Sequence, residues 1–171
     1  MPATDSHSRF SRGLAVLLLL LAMALAPRLL QAATDQNAYP RFASLRASEV
    51  NLRAGPGEQY PIEWVYKRKD FPVEVVGKYD VWRKIRDWQG TEGWVHQRML
   101  ADTRSVIVRG EVRFLHANPD PTASVVARLE PGVIAKLLEC QGLWCRVEVQ
   151  SLRGWLSRNE IWGVYPDEVV R

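Results

Sequence analysis

The chain states one pattern twice, about 62 residues apart, which confines it to folds built from two similar halves. The first statement runs Asn51-Leu52-Arg53-Ala54-Gly55-Pro56, then Trp82, then Gly93-Trp94-Val95. The second runs Phe114-Leu115-His116-Ala117-Asn118-Pro119, then Trp144, then Gly154-Trp155-Leu156. Leu52 to Leu115 is 63 residues, Trp82 to Trp144 is 62 and Trp94 to Trp155 is 61. Such a period is too long for a solenoid unit and suits two small domains in tandem.

The N-terminus reads as an address. Arg9 and Arg12 precede an apolar run from Leu14 to Ala26, Pro27 breaks it, and Leu30-Gln31-Ala32-Ala33 offers small residues for cleavage. That order is that of a secretory signal peptide. The run is shorter than the roughly 20 residues a spanning helix needs, so cleavage and no stable membrane insertion are expected, with an uncleaved anchor as the alternative. Residues 1–32 hold Arg9, Arg12, Arg28 and Asp5, so their removal takes the net charge from +4 to +2. A mild positive balance fits an anionic wall polymer. It is too weak to argue for nucleic acid, against which export also argues.

The repeat divides the rest into a polar leader (33–46), module 1 (47–104), module 2 (105–165) and a C-terminal tail (166–171). Modules of about 60 residues bury only ~60% of their unfolded surface, so docking of one on the other would help both. Five short β-rich runs per module, separated by Gly, Pro, Asn and Asp, predict an all-β fold of small barrels. The leader, with Pro40 and little periodicity, reads as a tether. His96 to Leu100 and Asn159 to Ile161 read as closing turns, and Arg104 to Arg109, nearly free of glycine and proline, as an ordered junction. Trp94 and Trp155 read as core residues. Trp162, Val164 and Tyr165 read as cover for an apolar face or the junction.

Cys140 and Cys145 are the only cysteines. They flank Gln141-Gly142-Leu143-Trp144, read as a hairpin turn that sets them face to face, so in an oxidising compartment a disulfide is expected. Two buried thiols or a redox or metal pair remain alternatives, although a redox CxxC needs two intervening residues and four are present.

Val50-Asn51-Leu52-Arg53-Ala54-Gly55-Pro56-Gly57, with the later pairing of Trp82 and Gly93-Trp94-Val95, resembles the opening strand and loop of bacterial SH3-like (SH3b) domains. The second module resembles a diverged copy, and the exported tandem is similar to periplasmic proteins of Gram-negative bacteria. The resemblance implies two tandem five-stranded SH3-like barrels after a cleaved signal peptide, located in the periplasm. It also implies a binding role towards peptidoglycan or an envelope protein. Module 2 departs from the pattern at Phe114, His116 and Asn118, which stand where module 1 has Asn51, Arg53 and Gly55.

Ligand-binding candidates lie in module 1. Alternation predicts that Trp82, Lys84, Arg86 and Trp88 share one strand face, two aromatics flanking two cations. Such a face could stack on sugar rings and hold carboxylates, or serve as an ordinary solvent face. Asn51 and Arg53 point away from the core and, with Tyr60, could rim a groove. Lys67-Arg68-Lys69 reads as a solvated turn, with contact to an anionic polymer as the sharper alternative. Catalytic machinery is not expected. Past residue 32 the histidines are His96 and His116, in non-equivalent positions. The cysteines are better explained by each other than by a nucleophile, and neither zinc-ligand spacing nor a phosphate loop is present. No metal or cofactor is expected. The overall expectation is a non-catalytic peptidoglycan-binding protein, with an envelope protein–protein adaptor as the alternative.

Overall fold

The computed structural model describes residues 39–171, and the signal peptide expected over residues 1–32 lies outside them. The described chain is all-β. Module 1 supplies β1 (Arg41–Leu45), β2 (Val50–Arg53), β3 (Ile62–Tyr66), β4 (Pro72–Tyr79), β5 (Trp82–Arg86), β6 (Glu92–His96) and β7 (Leu100–Ala101). Module 2 supplies β8 (Ser105–Val108), β9 (Arg113–His116), β10 (Val125–Leu129), β11 (Ile134–Gln141), β12 (Trp144–Val149), β13 (Leu152–Ser157) and β14 (Ile161–Trp162). The sheet orders are β3-β2-β6-β5-β4-β1-β7 and β10-β9-β13-β12-β11-β8-β14, the same path twice. Single 3₁₀ turns, Gln97–Met99 and Arg158–Glu160, close the modules where closing turns were expected. No helix among the described residues is long and apolar enough to cross a membrane.

Each sheet has seven strands where five were expected. The additional ones are β1 and β7 in the first and β8 and β14 in the second. The leader read as a tether therefore contributes β1, paired through Phe42↔Glu74 and Ala43↔Val73. Its alternation is hidden because four of its five residues are buried, on both faces. Ala43 and Leu45 enter the module 1 core. Phe42 and Ser44 point the other way, Phe42 onto Trp162 and Tyr165 and the Ser44 hydroxyl onto the Thr103 carbonyl at 2.6 Å.

The strand β8 repeats this arrangement. Val106 and Val108 enter the module 2 core, while Ile107 joins the core of module 1 and the Ser105 hydroxyl donates to the Asp70 carbonyl at 2.6 Å. The first strand of each module is thus shared between its own core and its neighbour. The junction expected over 104–109 is ordered because it is itself a strand. Trp162 and Tyr165 cover it. Trp162 meets Phe42 edge-on at 4.9 Å, and the Tyr165 hydroxyl donates to Glu74 Oε1 at 2.9 Å. The tail docks as well, through Cys140 N–H to the Val170 carbonyl at 3.0 Å and an ion pair of Glu168 with Arg104.

Cys140 and Cys145 form a disulfide and are fully buried. They are direct cross-strand partners in β11 and β12, with Gln141↔Trp144 as a further pair beyond them. The turn is therefore Gly142-Leu143 alone rather than four residues. Gly142 takes φ +52, a conformation open to a residue without Cβ.

Candidate functional site

The strands β2, β5 and β6 lie side by side, and their register decides which side chains meet. Trp82 opposes His96, Lys84 opposes Trp94 and Arg86 opposes Glu92 across β5–β6, while Arg53 opposes Trp94 across β2–β6. Directly opposed residues share a sheet face. Arg53, Trp82, Lys84, Arg86, Glu92, Trp94 and His96 therefore form one outward-facing field. Trp94 and Trp155, expected in the core, stand on the outward side and are half-buried. Their neighbours explain it. Gly93 and Gly154 face inward, where an added Cβ would come within 2.6 Å of Leu52 and Leu115 respectively. Val95 and Leu156 follow them into the cores, so in Gly-Trp-Val and Gly-Trp-Leu alternation sends the tryptophan out.

At one end of this field is a groove of about 350 Å³, lined by Glu49, Asn51, Arg53, Glu58, Trp82, His96, Arg98 and Met99. Three of the seven sequence candidates, Asn51, Arg53 and Trp82, meet there. Trp82 is half-buried, its indole edge-on to the His96 imidazole with 5.6 Å between ring centres. His96 Nδ1 accepts the Arg98 N–H at 3.2 Å, which fixes the ring and leaves Nε2 as its other polar atom. Arg53 braces one wall, its Nη1 donating to the carbonyls of Glu58 and Tyr60 at 3.1 and 2.7 Å.

The other four candidates separate. Tyr60 does not line the groove; its ring lies so close over Gly55 that a Cβ there would meet it at 2.4 Å. Lys84 and Arg86 continue the face of Trp82, as alternation predicts, but their charge is already answered. Glu92 takes Lys84 on one oxygen at 2.7 Å and Arg86 on the other at 2.8 Å, and Glu74 takes Arg86 at 3.3 Å. Hydrogen bonds from Lys84 and Arg86 hold the Glu92 carboxyl below its usual range.

Trp88 is not on that face. The strand β5 ends at Arg86, and the buried Asp87 organises a loop, its Oδ1 accepting the N–H groups of Gln89 and Thr91, both at 2.9 Å. Its Oδ2 accepts the Tyr66 hydroxyl at 3.0 Å. Burial, and then Asp87 itself, push the Tyr66 phenol well above its usual pKa. Trp88 is carried round to the module 1 core and borders a separate hollow with Trp64 and Phe71.

Glu49, Glu58, His96, Arg98 and Met99 belong to the groove although the sequence did not single them out. The signal for His96 was available, since it stands two residues after Trp94 in an alternating strand. In module 2, His116 occupies the position of Arg53, keeps its loop brace and adds the edge-on contact that His96 makes in module 1. Its Nδ1 meets the Ala123 carbonyl at 3.1 Å, and its ring lies edge-on to Trp144 at 6.0 Å. The exchange of Arg53 for His116 therefore preserves the loop brace. Among the described residues there is no free cysteine and no group of three or more His, Cys, Asp or Glu placed to hold a metal ion.

The chain is 23% identical over 145 residues to "Putative N-acetylmuramoyl-L-alanine amidase YrvJ" of Bacillus subtilis, over 72% of this chain and 27% of that protein. Among solved structures it is similar to NlpC2 from Trichomonas vaginalis, with 12% identity, a TM-score of 0.34, and 72% and 48% of the two chains covered. It is also similar to an NlpC/P60 family protein from Bacillus cereus, with 16% identity, a TM-score of 0.33, and 71% and 55% covered. The chain thus spans about a quarter of the curated relative and about half of these two structures. The profile of the bacterial SH3 domain matches twice, over residues 46–102 and 110–163, and the chain belongs to the bacterial SH3 domain family.

Proposed function

We propose that this is a non-catalytic binding protein of the periplasm that contacts peptidoglycan through the groove of module 1. The observation that carries this reading is the convergence of the Trp82 indole with Asn51, Glu49, Glu58 and His96 in one open groove. An aromatic face bordered by hydrogen-bonding groups suits a sugar ring, which offers C–H bonds to the aromatic face and hydroxyls to the rim. The curated relative supports it, since its name includes a sugar–amino acid linkage. The non-catalytic part is supported by the cysteines, which are consumed by each other, and by His96 and His116, whose Nδ1 atoms hold local backbone.

Sedimentation of the purified protein with isolated sacculi at low salt tests the reading. Wild type is expected in the pellet, and Trp82→Ala should cut the bound fraction about tenfold, the scale of one aromatic anchor. Folded wild type left in the supernatant, or a Trp82→Ala variant that sediments equally, would refute it.

A second reading, an envelope adaptor that binds a protein segment, is favoured by β3. This edge strand exposes Ile62 (47%) and Trp64 (56%), and an edge can accept an added strand. Crosslinking in the periplasm that recovers one protein partner and no wall material would favour it.

A further inference from the structure

A second cavity lies away from the groove, between the two modules. It encloses about 670 Å³, within the range that holds a small ligand. Module 1 contributes Arg68, Lys69 and Asp70, module 2 contributes the start of β11 and the β12–β13 turn, and Thr103 to Ser105 form the connecting wall.

The walls are tied together. Arg68 Nη1 donates across the modules to the Gly132 carbonyl at 3.1 Å, Ser105 bonds Asp70, and the Leu137 N–H bonds the Arg104 carbonyl at 3.0 Å. Little ordering is left for a ligand to impose, a condition that favours affinity.

The charges are unevenly satisfied. Arg104 is paired with Glu168, and Glu148 with Arg153 at 2.6 Å, so both are spent within the protein. Arg68, Lys69 and Lys136 line the cavity without a carboxylate within 4 Å among the described residues, and Asp70 lines it without a cation. Lys136 stands across the strand pair from Glu148 and helps hold that carboxyl low, so its charge is answered in part, whereas Arg68 and Lys69 have no such partner. The guanidinium of Arg68 has five N–H donors and gives one bond, to Gly132. Val133, Ile134 and Val149 supply apolar surface beside these cations. The basic run 67–69 is therefore more than a solvated turn. Two of its members edge a preformed cavity, whereas Lys84 and Arg86 on the Trp82 face are neutralised by Glu92 and Glu74.

We propose that the inter-module cleft binds a short peptide segment bearing two carboxylates and an aliphatic side chain. The carboxylates meet Lys69, Lys136 and the free edge of Arg68, and the aliphatic group lies on Val133, Ile134 and Val149. This site is separate from the module 1 groove, so either can fail without the other.

The test titrates N-acetyl-leucyl-glutamate, with one side-chain and one terminal carboxylate, into the isotope-labelled full protein and follows backbone amide shifts. Inorganic phosphate and the uncharged N-acetyl-leucyl-glutaminamide serve as controls. Saturable shifts confined to Lys69, Thr103 to Ser105, Ile134 and Gln150 are expected. Lys69→Gln with Lys136→Gln should weaken binding at least about tenfold, and Lys84→Gln, on the opposing charge network, should leave it within about twofold. All three lysines are solvent-accessible, so these variants should keep the wild-type fold. Asp70→Asn removes the opposing carboxylate, tolerates the local backbone, and should tighten binding about threefold. Absence of saturable binding, equal affinity for phosphate or the uncharged peptide, or a double variant that binds like wild type would each overturn the proposal.

Discussion

Asp80 holds a left-handed backbone, φ +47, at the tip of the β4–β5 hairpin, where module 2 has Gly142 at φ +52. The pattern recurs at Asp70, φ +59, which stands where module 2 has Gly132 at φ +83. The second pair makes the same backbone contact, the Asp70 N–H to the Leu45 carbonyl (2.8 Å) and the Gly132 N–H to the Val108 carbonyl (2.7 Å). The turn geometry is common to the halves, and aspartate, which tolerates positive φ better than most residues, has been accommodated where glycine fits freely. A residue with a Cβ and no short polar side chain should fare worse. Asp80→Ala is expected to be less stable than Asp80→Gly by about 1 kcal/mol in urea unfolding. Equal stabilities would show that the turn relaxes to another conformation.

At the scale of elements the halves differ by what covers them. Lys78 and Arg83 are cross-strand partners in module 1 at the positions that Cys140 and Cys145 occupy in module 2. The module 2 pair is covered by the tail, with Val170 bridged to Cys140, so its residues must be apolar or bonded to each other, and a disulfide is both. It closes only six residues, so the chain-entropy account gives about 2 kcal/mol. The Cys140→Ala/Cys145→Ala variant should lose about that much, plus the contacts of two buried sulfurs, and should remain folded at room temperature. Unfolding at that temperature would mean that the staple, not the shared core, holds module 2. Element contrasts also show what could be seen beforehand. The cysteine pairing, the alternation of Trp82, Lys84 and Arg86, and the ordered junction were legible because each rests on local spacing. The strand β1 was missed because its burial on both faces erases the period-2 signal, although carrying the repeat back from Val106 and Val108 lands on Ala43 and Leu45. Trp88 was misplaced because a buried carboxylate, Asp87, ends the strand, and a carboxylate's burial is a tertiary fact. The outward turn of Trp94 could have been read from Gly93, since the small residue of an alternating pair marks the crowded side.

At the scale of the molecule, sharing β1 and β8 makes the modules one folding unit. Phe42 is the residue to remove, because it packs on Trp162 and Tyr165 with the Arg104 guanidinium 5.6 Å from its ring centre. Phe42→Ala should cost about 3–5 kcal/mol and split a single urea transition into two. Two transitions already present in wild type would contradict the shared-core account. The same junction has an acid-sensitive tie in Glu168. Burial pushes its carboxyl up, but Arg104, the Tyr165 N–H and Arg158 outweigh burial and hold it below its ordinary value of 4.5. A carboxyl depressed in the folded state stabilises fully above its unfolded pKa, and that contribution fades as pH falls through the folded value. Glu168→Gln should therefore be less stable than wild type near pH 7, and the gap should close as the solution is acidified below about pH 4.5. The comparison isolates this group, because Glu92, Asp120 and Glu148, whose carboxyls are also held low, titrate alike in both proteins. Urea midpoints measured from about pH 7 to about pH 3 decide it, and curves that stay parallel would remove Glu168 from the forces that lock the junction.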